Sequence, residues 1–175
     1  MGTDKARLTI EGVHLYERQL HLLQSLAPEK IFFAGPAPAD LKRWDCEVVA
    51  DARPHAGPLA GLIASLRVTA TPLLLALAVD LPRISATYLR TLLERCGIGR
   101  GLIPMTDRME PLAAVYPIEA LALAEEQLSL AEFSLHRFAD RCVAGGLMQR
   151  GPVAPADRPL FFNLNTPADL QEYER

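Results

Sequence analysis

A chain of 175 residues, half of them apolar and 22% charged, has the make-up of an ordinary globular protein and the length for one domain with a full core. Its net charge of −3 supplies no basic field for nucleic acid. The opening MGTDKARL has no apolar stretch of the signal-peptide kind, and no apolar run nears the roughly 20 residues that cross a bilayer, so no membrane partner is expected.

Residues 1–8 are short and polar, and Glu11–Gly12 reads as a turn. From Val13 the pattern is helical, with Leu15, Leu22, Leu23 and Leu26 on one stripe and Glu17, Arg18, Gln19 and Gln24 on the other faces. Pro28 stops this helix. Residues 31–34 form a short apolar run closed by Gly35–Pro36, hence a strand and a loop, and residues 44–51 (WDCEVVAD) read as a second strand that ends in an acid. PHAGPLAG, residues 54–61, turns a loop into a helix that runs to about Val68, with Pro58 suited to its first turn.

LLLALAVDLP, residues 73–82, is the central feature. Seven apolar residues closed by Asp80, Leu81 and Pro82 read as a strand buried on both faces, and Pro82 cannot continue a ladder. Ser85 is a plausible cap for a helix over 85–96, which Gly97, Gly99 and Gly101 break. Two apolar runs, 101–105 and 111–116, flank the polar TDRME as a hairpin-like excursion. Residues 117–128 and 130–142 are helical, with Leu121, Leu128, Phe133, Leu135 and Phe138 as core. Residues 147–150 and 161–164 are short strand candidates, and Thr166 or Asn165 can cap a last helix over 167–173. Strands that alternate with helices predict an α/β domain with a mainly parallel sheet. No repeat or linker divides the chain, so residues 1–175 read as one domain.

In open α/β sheets, ligands sit beyond the carboxyl ends of the strands. Asp51, Asp80, Asn163 and Asn165 all lie at the ends of apolar runs, and Lys5 is a fourth kind of candidate. A lysine to neutralise phosphate, a carboxylate for magnesium and amides to position a partner suit a nucleoside triphosphate. Phosphoryl-type transfer needs mostly positioning and charge neutralisation, so the lack of an evident Ser/His/Asp set excludes nothing here. Each residue also has a plainer reading. Asp80 and Asp51 can be turn residues, Lys5 a solvated lysine, Asn163 and Asn165 a turn and a helix cap, and GPLAGL an ordinary helix start. Cys46, Cys96 and Cys142 are scattered, without metal-ligand spacing, and read as free thiols of a reducing cytoplasm. The four histidines are dispersed too, and none is a candidate.

MGTDKARL, DARPHAGPLAGL, LALAVDLP with EPLAAVYP after it, and FFNLNTPADL follow one another along the whole chain. In this order they resemble the molybdenum cofactor guanylyltransferase family. The resemblance implies a Rossmann-like, three-layer nucleotidyltransferase domain that transfers GMP from GTP to the molybdopterin form of the cofactor and releases pyrophosphate. Carried over by motif, Lys5 and Asp80 are catalytic. Lys5, Asp51 and Asp80 contact GTP, Asp80 holds Mg2+, and Asn163 and Asn165 serve the molybdopterin side. Other implied partners are molybdoenzymes or further proteins of cofactor biosynthesis, in the cytoplasm. A cytidylyltransferase or other sugar or cofactor nucleotidyltransferase of the same fold is the enzymatic alternative. An inactive relative that binds and hands on cofactor is the non-enzymatic one.

The chain departs from the family pattern in two places. The family opens with a strand and a Leu-Ala-Gly-Gly-x-Ser-x-Arg loop ahead of Met-Gly-x-Asp-Lys, whereas this sequence begins at that methionine. The expectation is a natural start further upstream, with an N-terminally truncated form as the alternative, and in either case a sheet with a gap or a rearranged edge. Gly35–Pro36 also stands where the family often carries a nucleotide-contacting Asn.

Overall fold

A computed structural model describes residues 8–54 and 56–173. Thr9–Ile10 (β1) and Val13–His14 (β2) pair antiparallel around Glu11 and Gly12, both at positive φ. That pairing takes Val13 and His14 out of the first helix, which spans Leu15–Gln24 (α1), and Glu17 accepts a bond from the His14 N–H at its start. Phe32–Ala34 (β3) and Glu47–Val49 (β4) form a parallel pair. The strand expected from residue 44 is shorter because a 3-10 stretch, Ala39–Arg43, runs up to it and Trp44 caps that stretch. Pro58–Val68 (α2) begins as predicted, with Pro58 in its first turn after Gly57 at φ 66°. Eight of its residues in succession, Leu59 to Leu66, are buried.

Leu73–Leu77 (β5), Gly101–Met105 (β6), Ala113–Pro117 (β7) and Met148–Pro152 (β8) make the main sheet. Its order is β5-β7-β6-β8. β6 and β8 are parallel, and β7 is antiparallel to both of its neighbours. Three of the four strands therefore run one way, as the mainly parallel expectation had it. The excursion around TDRME returns as an inserted antiparallel strand. Ala86–Glu94 (α3) is capped by Ser85, whose hydroxyl accepts from the Tyr88 N–H at 3.2 Å.

Side chains alternate across the sheet as strand geometry requires. Ile103, Ala114 and Tyr116 face α2 and the helices Ala120–Ser129 (α4) and Leu135–Ala144 (α5). Leu102, Ala113 and Val115 face α3 and Phe161. Helices on both faces give the three layers expected. Leu135 and Phe138 are core, whereas Leu121, Leu128 and Phe133 are only half-buried.

Four local expectations are corrected. α4 starts at Ala120 because β7 pairs through Pro117 with Leu73. α5 starts at Leu135, after Ala131 at φ 58° and a Ser134 cap. Residues 161–164 are not a strand. They close a 3-10 stretch, Pro155–Phe161, and then run irregularly. β5 is half-buried at all five positions instead of buried on both faces. It has a single paired neighbour, β7, among the described residues, so its other edge borders a cleft. The cysteines are free thiols, and burial raises all three, Cys142 to about 12. Among the described residues no helix is long and apolar enough to cross a membrane.

Candidate active site

β3 and β5 belong to separate sheets, yet both line one cleft of about 890 Å³ together with α1 and α2. Its walls are largely the apolar edges of these strands, and Asp51, Gly57, Gly61, Gln19 and Asp80 bring polar or small groups to it.

Asp51 lies two residues beyond β4 and is exposed. A Cβ at Gly61 would stand 2.9 Å from the Ala34 Cβ and 3.4 Å from Asp51 Oδ1. The missing side chain thus lets the first turns of α2 lie directly against the ends of β3 and β4. Helix N-termini carry unpaired N–H groups and partial positive charge, so the Asp51 end of the cleft combines an acid with main-chain donors.

Asp80 is the third residue past β5, in the turn that Leu81 and Pro82 close, and is half-buried. Its main-chain carbonyl accepts from the Leu164 N–H at 2.9 Å, and the Ala78 N–H donates to Leu112 at 2.8 Å. Gln19 Nε2 donates to the Leu81 carbonyl at 2.8 Å. The sequence pattern assigned Gln19 to an outer face, but it is 5% exposed. The available signal was its spacing. Position 19 falls four after Leu15 and three before Leu22, on the same stripe.

Asn163 and Asn165 flank Leu164 and so stand beside the Asp80 turn, off the cleft lining. Asn163 Nδ2 donates to the Phe161 carbonyl at 3.2 Å. The Asn165 and Thr166 N–H groups both donate to Asp169 Oδ2 at 2.7 Å, and Thr166 Oγ1 accepts from the Asp169 N–H at 3.2 Å. Thr166 is therefore the cap of the last helix, Pro167–Tyr173 (α6). Lys5 lies outside the described residues. The structure thus brings Asp51 and Asp80 to one cleft and ties the asparagine segment to the second of them.

Tyr16, at the α1 wall of the cleft, donates to Asp40 Oδ2 at 2.5 Å. Burial, and then this bond, pushes its hydroxyl up to about 12, and the same bond holds the Asp40 carboxyl below its usual range. Arg43 pairs with both Glu17 and Asp40 beside it. Among the described residues no three His, Cys, Asp or Glu side chains gather to hold a metal. A lone carboxylate on a rim fits magnesium, which takes one or two carboxylates, keeps its waters and completes its shell with substrate phosphate.

Two strand-end acids and a helix that opens on Gly57 and Pro58 border one cleft of a three-layer α/β fold, in the place where open α/β sheets bind their ligands. The fold matches a crystal structure titled molybdopterin-guanine dinucleotide biosynthesis protein A from Archaeoglobus fulgidus, with TM-score 0.76 and 24% identity, covering 99% of this chain and 90% of that one. It also matches 2-C-methyl-D-erythritol 4-phosphate cytidylyltransferase from Thermus thermophilus, with TM-score 0.68 and 16% identity, covering 97% and 92%. The family model described as the MobA-like NTP transferase domain matches residues 1–142, and the chain belongs to that family. A probable molybdenum cofactor guanylyltransferase of Opitutus terrae is 36% identical over 100% of this chain and 89% of its own length. A molybdenum cofactor guanylyltransferase of Pseudomonas aeruginosa is 32% identical, over 98% and 86%.

Proposed function

We propose that this protein transfers GMP from GTP to the molybdopterin form of the molybdenum cofactor, giving the guanine dinucleotide cofactor and pyrophosphate. The likeness to the probable molybdenum cofactor guanylyltransferase of Opitutus terrae, over the whole of this chain, carries the reading. A terminal phosphate oxygen of the cofactor attacks the α-phosphorus of GTP in line. The new P–O bond forms as the bond to the β-phosphate oxygen breaks, and pyrophosphate leaves with the electron pair. The nucleophile is already an anion, so no protein base is required. Asp80 would hold Mg2+, which when bound neutralises charge on the triphosphate and the departing pyrophosphate. Asp51 contacts the nucleotide, Lys5 its phosphates, and Asn163 and Asn165 the molybdopterin side. The reaction is assigned to the cytoplasm, where free thiols persist, with molybdoenzymes or other cofactor-biosynthesis proteins downstream.

Thermal unfolding of the chain with Mg2+ and GTP, against Mg2+ and CTP, tests this reading. GTP at ten times its Kd adds about 1.4 kcal/mol, a rise of about 3–6 °C for a domain of this size, and CTP adds none at the same concentration. The fold likeness to the Thermus thermophilus cytidylyltransferase keeps a CTP enzyme as the second reading, and a rise with CTP alone would replace the first by it.

A further inference from the structure

We infer that Gln19 is a positioning residue for the Asp80 carboxylate; this rests on the reading of Asp80 as the carboxylate that shares magnesium with GTP. Three elements fix the turn after β5. The return into β7 takes the Ala78 N–H through the Leu112 carbonyl, the segment before α6 takes the Asp80 carbonyl through the Leu164 N–H, and α1 takes the Leu81 carbonyl through Gln19. The first two ties are main chain to main chain, and Gln19 provides the third with its side chain.

Its burial bears on this role. Gln19 sits on the stripe between buried Leu15 and half-buried Leu22, where a leucine would continue the apolar face. A buried amide is penalised by desolvation, and one hydrogen bond returns little net stability. What the amide adds that a leucine cannot is direction. It sets the peptide that follows Leu81, next to the peptide that follows Asp80, which Leu164 sets, and Asp80 and Gln19 line the same cleft. The Leu81 carbonyl also accepts from the Ile84 N–H at 3.2 Å. It therefore keeps a partner when Gln19 is replaced, and the turn loosens without leaving a bare buried acceptor.

Groups that orient a metal ligand typically contribute 10–100-fold to metal affinity or activity. The test is calorimetric titration of the full chain with Mg·GTP, and separately with GTP in EDTA, for wild type, Gln19→Met and Asp80→Asn, alongside unfolding midpoints. Met keeps the length and removes the donor. For Gln19→Met the Mg·GTP affinity is expected to fall by about tenfold or more, with the GTP–EDTA affinity unchanged and the midpoint near wild type. Four results overturn the inference. One is a Gln19→Met protein that loses thermal stability but binds Mg·GTP and GTP–EDTA as wild type does. Another is unfolding of both Gln19→Met and the shorter amide variant Gln19→Asn, which makes the residue purely structural. The third is an Asp80→Asn protein with wild-type Mg·GTP affinity, which removes the reading of Asp80 and with it the role of Gln19. Loss in Asp80→Asn without loss in Gln19→Met leaves the Asp80 reading standing and removes only this inference.

Discussion

Asp80→Asn is expected to lower kcat for GMP transfer by about 10²–10³-fold, the range measured when a group that stabilises transition-state charge is removed, and to leave the fold intact. The exchange keeps side-chain shape and removes the negative charge. The bond that ties this turn to the C-terminal segment uses the Asp80 main-chain carbonyl, which every substitution retains. Asp80 is only half-buried, so the neutral amide creates no cavity. Asp80→Ala removes the metal ligand as well as the charge, and its loss is at least as large. Pyrophosphate release at saturating Mg2+ and GTP reads the effect, and the unfolding midpoint checks the fold. Wild-type turnover in either variant would show that the carboxylate at the end of β5 is a turn residue and nothing more.

Gly101→Ala is expected to destabilise the domain by about 3 kcal/mol, lowering its unfolding midpoint by about 6–12 °C. A Cβ there would stand 2.0 Å from the Val115 carbonyl oxygen and 2.9 Å from Pro117 Cδ. One obstacle is main chain and the other a closed ring, so neither can swing aside as a flexible side chain would. The strands would have to part at the point where β6 meets both β7 and β8. The register there pairs Leu102 with Val115 and Gly101 with Met148, and the Gly101 N–H donates to Leu147 at 2.8 Å. Gly97→Ala is the control, because a Cβ at Gly97 meets nothing within 4 Å. That variant should stay within about 0.5 kcal/mol of wild type. Equal midpoints for the two variants would refute the close approach of β6 to β7.

Gly101 also marks the limit of local reading. In the sequence it is the last of three glycines that end a helix. In the fold it is the one residue type that lets two strands touch. Asp51 and Asp80 were found as acids after apolar runs, and both do reach one cleft, because the place where a strand ends is a local property of the chain. At Gln19 residue type points outward and spacing inward, and the acceptor that justifies burying it lies 62 positions away.

The sequence by itself determined the succession of strands and α-helices from α1 to β8, the Ser85 cap, the proline-opened start of α2, the excursion between β6 and β7, and the family. Each is written in neighbouring residues, through side-chain period, cap chemistry and the restrictions that proline and glycine impose. Only the tertiary structure decided that β7 inserts antiparallel between β5 and β6, that β5 stands half-buried along a cleft, and that residues 161–164 run as an irregular tie to the Asp80 turn. An apolar strand reads the same whether one edge or both are paired. Pairing is settled by which edges the packed helices bring within hydrogen-bond reach, and no local stretch of sequence carries that distance.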